Sequence, residues 1–288
     1  MTRPHPQQSI RQPGPPNPSR ITSIPAATLP IDTVLPAGPR LLDALAGLMV
    51  DGIESACLTL HGGALGPFAY VIPALSPDGS QAAFYSATFL PPGTTTLDTA
   101  AVTLGWKNGA PFFHCHAIWT QADGQPGCGH VLSEHTRIAS PIHVRGAGLV
   151  GARFEVHPDP ETGFNLLTPR PTGTPPPVAS RPARALRLAP NQDLIEALEH
   201  ATRQAGFPSA TLQGGVGSTN QVRLQEPAPD LAFATELLVR KGIVRGSRGL
   251  VSILEIAIVD LNATIAQGHL IPGDNPVLMT FEGVLETL

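Results

Sequence analysis

An internal repeat constrains the fold of this chain more than any other feature of its 288 residues. In each half, an apolar run at helical spacing is followed by a glycine, a Ser-Ala pair, a short apolar run and a Gly-Gly pair, and later by a Gly-His pair. The series is Leu41–Met49, Gly52, Ser55-Ala56, Gly62-Gly63 and Gly129-His130 in the first half, and Leu194–Ala201, Gly206, Ser209-Ala210, Gly214-Gly215 and Gly268-His269 in the second. Shared elements in one order indicate a duplication, and two copies are too few for a solenoid, so we predict two related globular domains.

Proline-rich segments divide the chain. Residues 1–38 are rich in Pro, Gln, Ser and Arg, which predicts a disordered tail, with an arm that covers a neighbouring subunit as the alternative. Residues 168–190 are also proline-rich and are predicted to form a linker. The predicted domains are therefore residues 39–167, which carry a histidine cluster, and residues 191–288.

The order of apolar patterns predicts the fold class of each domain. One helix is followed by short apolar or alternating runs that Gly, Pro and Asp interrupt. We therefore expect an α+β fold, in which a mainly antiparallel sheet packs with one or two helices. Asn191 is the predicted N-cap of the second helix.

Charge and cysteine content narrow the function classes. The formal net charge is −4, and the 18 basic residues are scattered, so direct binding to DNA phosphates is not expected. Three cysteines without a CxxC pair fit a reducing compartment. Neither a signal peptide nor a stretch of about 20 apolar residues is recognisable, so a cytoplasmic protein without membrane association is expected.

The segment from Gly109 to His130, GAPFFHCHAIWTQADGQPGCGH, carries the main chemical signal. On a strand, His114 and His116 lie on the same face because side chains alternate with a period of two. Asp123-Gly124 is a hairpin turn signal that would bring His130 beside them. Three imidazoles suit Zn²⁺ or a related divalent ion and leave a fourth position open. The alternative is a group of hydrogen-bonded core histidines that bind nothing.

This segment resembles the PPC (plant- and prokaryote-conserved, DUF296) domain. The family pattern G-x-P-F-x-H-x-H, an acidic-Gly hairpin and G-G-H-L is matched by Gly109, Pro111, Phe112, His114, His116, Asp123, Gly124, Gly129 and His130. Cys128 and Val131 depart from it, where Gly and Leu are common. The likeness extends over most of residues 39–165 and 188–288.

The resemblance implies an α+β fold with a central antiparallel sheet, assembly as a homotrimer, and a metal site at the three histidines. Members are often described as DNA-binding, yet in plants the DNA contact is attributed to a separate AT-hook with the sequence Arg-Gly-Arg-Pro. The nearest candidates here, residues 245–248 and Arg181-Pro182, lack that motif. DNA binding is therefore not expected from the resemblance either.

The second copy departs from the metal motif. Counting back from His269 without gaps places Ile253 and Glu255 where His114 and His116 stand. We interpret this as a site lost after duplication, so that the second copy completes an assembly or shapes a pocket over the first. The alternative is weak metal binding by Glu255 and His269.

Two further polar residues follow the cluster. Glu134 or His135 is the candidate general base beside the metal, with ordinary surface residues as the alternative. The sequence thus predicts a zinc-dependent lyase or hydrolase that acts on a small carboxylate or carbonyl compound. The competing prediction is a non-catalytic regulatory or DNA-associated trimeric module in which the metal is structural.

Overall fold

The structure is a computed structural model that describes residues 9–247 and 249–288. Residues 1–8, which begin the predicted tail, and Arg248, which ends the 245–248 candidate hook, lie outside the described residues. Strand accounts for 53% and helix for 6% of the structure. The helices are α1 (Leu41–Ala46) and α2 (Leu194–Gln204). The strands are β1 (Ile21–Leu35), β2 (Ser55–His61), β3 (Ala64–Leu65), β4 (Tyr70–Val71), β5 (Pro73–Ala74), β6 (Phe84–Tyr85), β7 (Thr95–Lys107), β8 (Ala110–Thr120), β9 (Pro126–Val131), β10 (Ile138–Ser140), β11 (Ile142–Val150), β12 (Ala152–Pro158), β13 (Asn165–Pro171), β14 (Arg181–Leu188), β15 (Ser209–Asn220), β16 (Ala234–Arg245), β17 (Ile253–Asp260), β18 (Ile265–His269) and β19 (Val277–Thr287).

The predicted α+β class is wrong, because the chain is mostly an antiparallel sheet that curls into a half-barrel. Helix α1 has only 6 residues and stops at the C-cap Gly47, whereas the apolar spacing suggested a helix that continues to Met49. The short apolar runs belong to long strands such as β7, which has 13 residues and is buried along most of its length. A strand that is buried on both faces carries apolar residues on both faces. The apolar–polar alternation from which strand length is judged is then absent from the sequence.

Strands of the two halves follow the same order. In the first half, antiparallel pairing joins β1, β11, β2, β7, β8 and β9 in sequence. In the second half it joins β14, β19, β15, β16, β17 and β18. Strand β1 connects the two series, since its residues 27–35 pair with β11 and its residues 21–28 pair with β14.

The proline-rich segments are more ordered than predicted. The predicted tail contains β1, which pairs with β11 of the first half through its residues 27–35 and with β14 of the second half through its residues 21–28. The predicted linker contains the last part of β13 and all of β14 and leaves only residues 172–180 between strands. The strand hydrogen bonds of β1 and the burial of Ala27, Ile31 and Leu35 offset the conformational entropy that is lost when this proline-rich segment becomes ordered.

Helix α2 packs on one face of the sheet formed by the strands of the second half. Its N-cap is Asp193, whose side chain accepts a hydrogen bond from the Glu196 backbone N–H at 3.0 Å, and not Asn191 as predicted. The Asn191 side chain instead pairs with the backbone N–H and C=O of Ile10, each at 2.9 Å. Neither helix in the described part of the chain has the length and apolar character needed to cross a membrane.

The two halves pack against each other through their sheets. Each has its own core, and a further buried cluster joins Ala101, Ile118 and Cys128 of the first half to Val216 and Leu238 of the second. Burying one such aliphatic side chain stabilises the fold by about 1.5–3 kcal/mol. This junction fixes the position of β8 and β9 relative to β15 and β16.

Candidate metal centre

Three histidines of the first half meet at this junction. His114 and His116 alternate along β8, and His116 lies directly opposite His130 on β9. One ring nitrogen from each residue lies within 4.8 Å of the other two, in the one group of this kind among the described residues. Alternation on a strand and the hairpin turn therefore bring the sequence-predicted ligands together.

Hydrogen bonds determine which ring nitrogens face one another. His114 Nδ1 lies 2.6 Å from a carboxylate oxygen of Glu282, and His116 Nδ1 lies 2.8 Å from the carbonyl oxygen of Leu237. Carboxylate and carbonyl oxygens accept hydrogen bonds, so both Nδ1 atoms carry the proton and donate. In neutral rings, the form that binds metals, both Nε2 atoms then carry lone pairs.

Those lone pairs point at each other. His114 Nε2 and His116 Nε2 are 3.0 Å apart, and His130 Nδ1 lies 3.3 Å from His116 Nε2. Nitrogen ligands on a tetrahedral zinc ion with bonds of about 2.0–2.1 Å would be about 3.3 Å apart. Two acceptor nitrogens in contact repel unless a cation lies between them, so the arrangement fits a divalent metal ion.

The electrostatic environment keeps two of the rings neutral. Burial lowers the pKa of His116 well below its ordinary value, and the charges of His114 and His130 lower it further. Burial likewise lowers the pKa of His130, with a further contribution from His114. Neutral imidazole is the form that binds metals, so both rings are ready as ligands at neutral pH.

A chain of buried polar groups from the second half supports His114. Glu282 accepts a hydrogen bond from the Thr280 hydroxyl at 3.1 Å, and the Thr280 oxygen accepts one from Arg187 Nε at 3.2 Å. Arg187 also forms a buried ion pair with Asp159, 2.7 Å away. Outer groups of this kind fix the orientation of ligating histidines and raise their basicity.

Glu236 of β16 is a second carboxylate at the cluster. Its side chain is 8% exposed, and its Oε1 lies 3.9 Å from His116 Nε2. The other oxygen, Oε2, is buried and has no hydrogen-bond partner within the described part of the chain. Burial raises the pKa of Glu236 to about 8.

A cavity of about 60 Å³ adjoins the cluster. One side consists of His114, His116 and Glu236, and the rest consists largely of apolar and aromatic side chains. A single water needs about 10–15 Å³ by the same measure, so the space holds a small molecule or several waters. Tyr85 also lines it, with its ring 5.2 Å from that of His130.

The predicted general bases lie elsewhere. Glu134 and His135 are exposed, and they line a separate depression beside His130 and Lys107 instead of the cavity. His61 is exposed at the end of β2 and pairs across the sheet with His143.

In the second half, Glu255 pairs directly with His269, as His116 does with His130. The strand register therefore agrees with the ungapped comparison made from the sequence. His269 pairs with Glu226 at 2.5 Å, and Glu255 lies 3.7 Å from Arg240. No metal-ligand group is formed there among residues 9–247 and 249–288.

Sequence reasoning missed three residues of the site, Glu236, Glu282 and Tyr85. The two glutamates lie more than 100 positions from the histidines, and each stands in an apolar strand with no motif around it. Tyr85 belongs to the two-residue strand β6, which no periodicity distinguishes. Only the packing of the two halves brings them to the cluster.

No protein-family model matches this chain. No curated protein matches it either. Solved structures match over half of it or less. A metal-containing protein of Archaeoglobus fulgidus is 20% identical, with 49% of this chain and 94% of that chain covered and a TM-score of 0.39. A plant- and prokaryote-conserved (PPC) protein of Pyrococcus horikoshii is also 20% identical, with 50% and 94% covered and a TM-score of 0.41.

A hypothetical protein of Salmonella cholerae-suis is 28% identical, with 37% of this chain and 77% of that chain covered and a TM-score of 0.33. The structures similar to this chain thus include a PPC protein, as the sequence motif suggested. At TM-scores below 0.5, these similarities assign no activity to it.

Proposed function

We propose that His114, His116 and His130 hold one divalent metal ion, zinc in the first instance, and that the protein is a metal-dependent enzyme. The observation that supports this most is the 3.0 Å contact between His114 Nε2 and His116 Nε2, in rings whose Nδ1 atoms both face acceptor oxygens. Three protein ligands beside a cavity are typical of catalytic zinc sites, whereas structural sites are closed by a fourth ligand.

The reaction class is hydrolysis or bond cleavage at a small carbonyl compound. A divalent ion at the cluster would polarise a carbonyl oxygen in the adjoining cavity. Glu282 orients the ring of His114, and the Leu237 carbonyl orients that of His116. The apolar wall of the cavity restricts the access of water. Glu134 and His135 have no place in this proposal, because they do not line the cavity.

We further propose that the chain arose by duplication and that the second copy now completes the site of the first. The matching strand orders and the matching register of His116–His130 and Glu255–His269 support this. Loss of the ligands at 253 and 255 is then tolerated because the second copy supplies Glu236 and Glu282 to the remaining site.

A structural metal is the second candidate function. It is favoured by one observation, the 3.9 Å distance between Glu236 Oε1 and His116 Nε2. A small shift of this side chain would make Glu236 a fourth ligand and close the site.

Metal content tests the proposal. Untagged protein purified without added metal is expected to contain about one zinc or other transition metal ion per chain, measured by mass spectrometry. The His114→Ala/His116→Ala variant should lose the ion and keep its circular dichroism spectrum, and the His143→Ala variant, which changes a partly exposed histidine on β11, should keep the ion. Absence of metal from the unaltered protein, even after reconstitution, would refute the proposal.

Turnover distinguishes the two candidates. The zinc-loaded protein is expected to hydrolyse or cleave members of a panel of small esters, amides and hydroxy-carbonyl compounds, and the double variant is not. Bound zinc with no turnover, together with loss of zinc in a Glu236→Leu variant, would favour the structural metal.

A further inference from the structure

The unpaired oxygen of Glu236 indicates what kind of molecule the cavity binds. A buried polar atom without a partner destabilises the structure, so such atoms usually meet a partner in the functional state. Glu236 Oε2 is buried without one and belongs to a side chain that lines the cavity. Because a carboxyl group keeps acceptor capacity in either protonation state, a ligand that donates a hydrogen bond would supply the missing partner.

The cavity walls favour an uncharged ligand. Among the described residues that line the cavity there is no lysine or arginine, and the guanidinium of Arg187, which contacts the lining residue Thr280, is paired with Asp159. The remaining walls include Phe84, Phe164 and Leu166. These apolar side chains accommodate an uncharged molecule with an apolar part.

We propose that the cavity binds a neutral small molecule that donates an N–H or O–H hydrogen bond to Glu236, while an adjacent oxygen faces the three histidines. This inference rests on the proposed function and narrows its substrate class to neutral amides and hydroxy-carbonyl compounds. The apolar part of the molecule lies against Phe164 and Leu166.

The test uses two probes that differ only at the donor. Acetohydroxamic acid is uncharged at neutral pH and has a metal-binding oxygen next to an N–H, and its N-methyl derivative lacks that N–H. Their affinities for the zinc-loaded full-length protein are measured by calorimetry, together with that of acetate, and zinc content is determined in the same samples. The variants are Glu236→Leu, which removes the acceptor, and Glu236→Gln, which keeps an acceptor oxygen.

We expect N-methylation to weaken binding at least about tenfold in the unaltered protein and in Glu236→Gln, and less than about threefold in Glu236→Leu. Acetate should bind more weakly than acetohydroxamic acid. Equal effects of N-methylation in all three proteins, or acetate binding as tightly as the hydroxamic acid, would overturn this inference and leave the metal site intact. If Glu236→Leu does not fold, equal affinity of the two probes for the unaltered protein overturns the inference by itself.

Two other outcomes concern the site as a whole. Loss of zinc in folded Glu236→Leu would make Glu236 a metal ligand and refute its role as an acceptor for a bound molecule. Absence of zinc from the unaltered protein would refute the proposed function, and with it this inference.

Discussion

At the scale of single residues, the orientation of two of the three imidazoles depends on a partner from the other half of the chain. His114 donates to Glu282 and His116 to the Leu237 carbonyl, and these two bonds leave both Nε2 atoms free for one ion. The carboxylate contributes more than orientation, because its negative charge raises the basicity of the ring that it contacts. We therefore expect Glu282 to affect metal affinity without being a ligand.

Replacing Glu282 by Gln tests this role. Gln keeps the shape and an acceptor oxygen but removes the charge, so we expect zinc affinity to fall by about 10-fold while the fold is retained. Competition with a chromogenic chelator measures the affinity, and Glu255→Gln, a half-buried carboxylate of the same half, is the matched control. Unchanged zinc affinity in the Glu282 variant would show that the charge has no influence on the cluster.

At the scale of secondary-structure elements, close contact shapes the β8–β9 hairpin. A Cβ atom at Gly127 would come within 2.3 Å of the Trp119 indole nitrogen, and one at Gly129 within 2.6 Å of the Val71 carbonyl oxygen. Trp119 is fully buried, so it cannot move aside. These glycines allow β9 to lie between Trp119 and β4, which places His130 opposite His116.

A Gly127→Ala variant is expected to lose about 1–3 kcal/mol of unfolding free energy, because the added methyl overpacks the contact with Trp119. Denaturant unfolding followed by tryptophan fluorescence measures the loss. Gly47→Ala is the control, since its Cβ would meet no atom closer than 3.4 Å and its backbone is already helical. Equal stability of the two variants would mean that the hairpin adapts to the methyl group.

The same hairpin shows what can be predicted from sequence. A period of two and a turn signal are local, so the convergence of His114, His116 and His130 could be predicted. Glu236 and Glu282 could not, because their role depends on how two sheets pack. The α+β class was predicted wrongly since the apolar spacing of residues 41–49 suggested a longer helix than the 6 residues that form. The capping role of Asp193 was assigned to Asn191, two positions away, because either residue type can cap.

At the scale of the whole molecule, the N-terminal segment holds the two halves together. Before β1 begins, Arg20 forms a two-bond ion pair with the buried carboxylate of Glu161, and the Gln12 side chain donates to the Leu278 carbonyl. Leu278 lines the cavity, so the segment also braces one of its walls. The segment is therefore a structural part of both halves.

Truncation separates the contributions of this segment and of β1. Deletion of residues 1–35 should make the protein aggregate on expression, because it exposes the edges of β11 and β14. Deletion of residues 1–18 leaves β1 in place and should give soluble protein with a lower melting temperature. Size-exclusion chromatography and thermal unfolding measure both outcomes, and a soluble, monodisperse protein lacking residues 1–35 would contradict the prediction.

Strand β1 pairs with strands of both halves, and this pairing also has an evolutionary consequence. A gene break between the halves would leave β1 with the first half. The second half would then have unpaired backbone groups along β14. Recombination therefore cannot shuffle these halves as independent modules, although each has its own core. We expect descendants of this architecture to inherit both halves together and in this order.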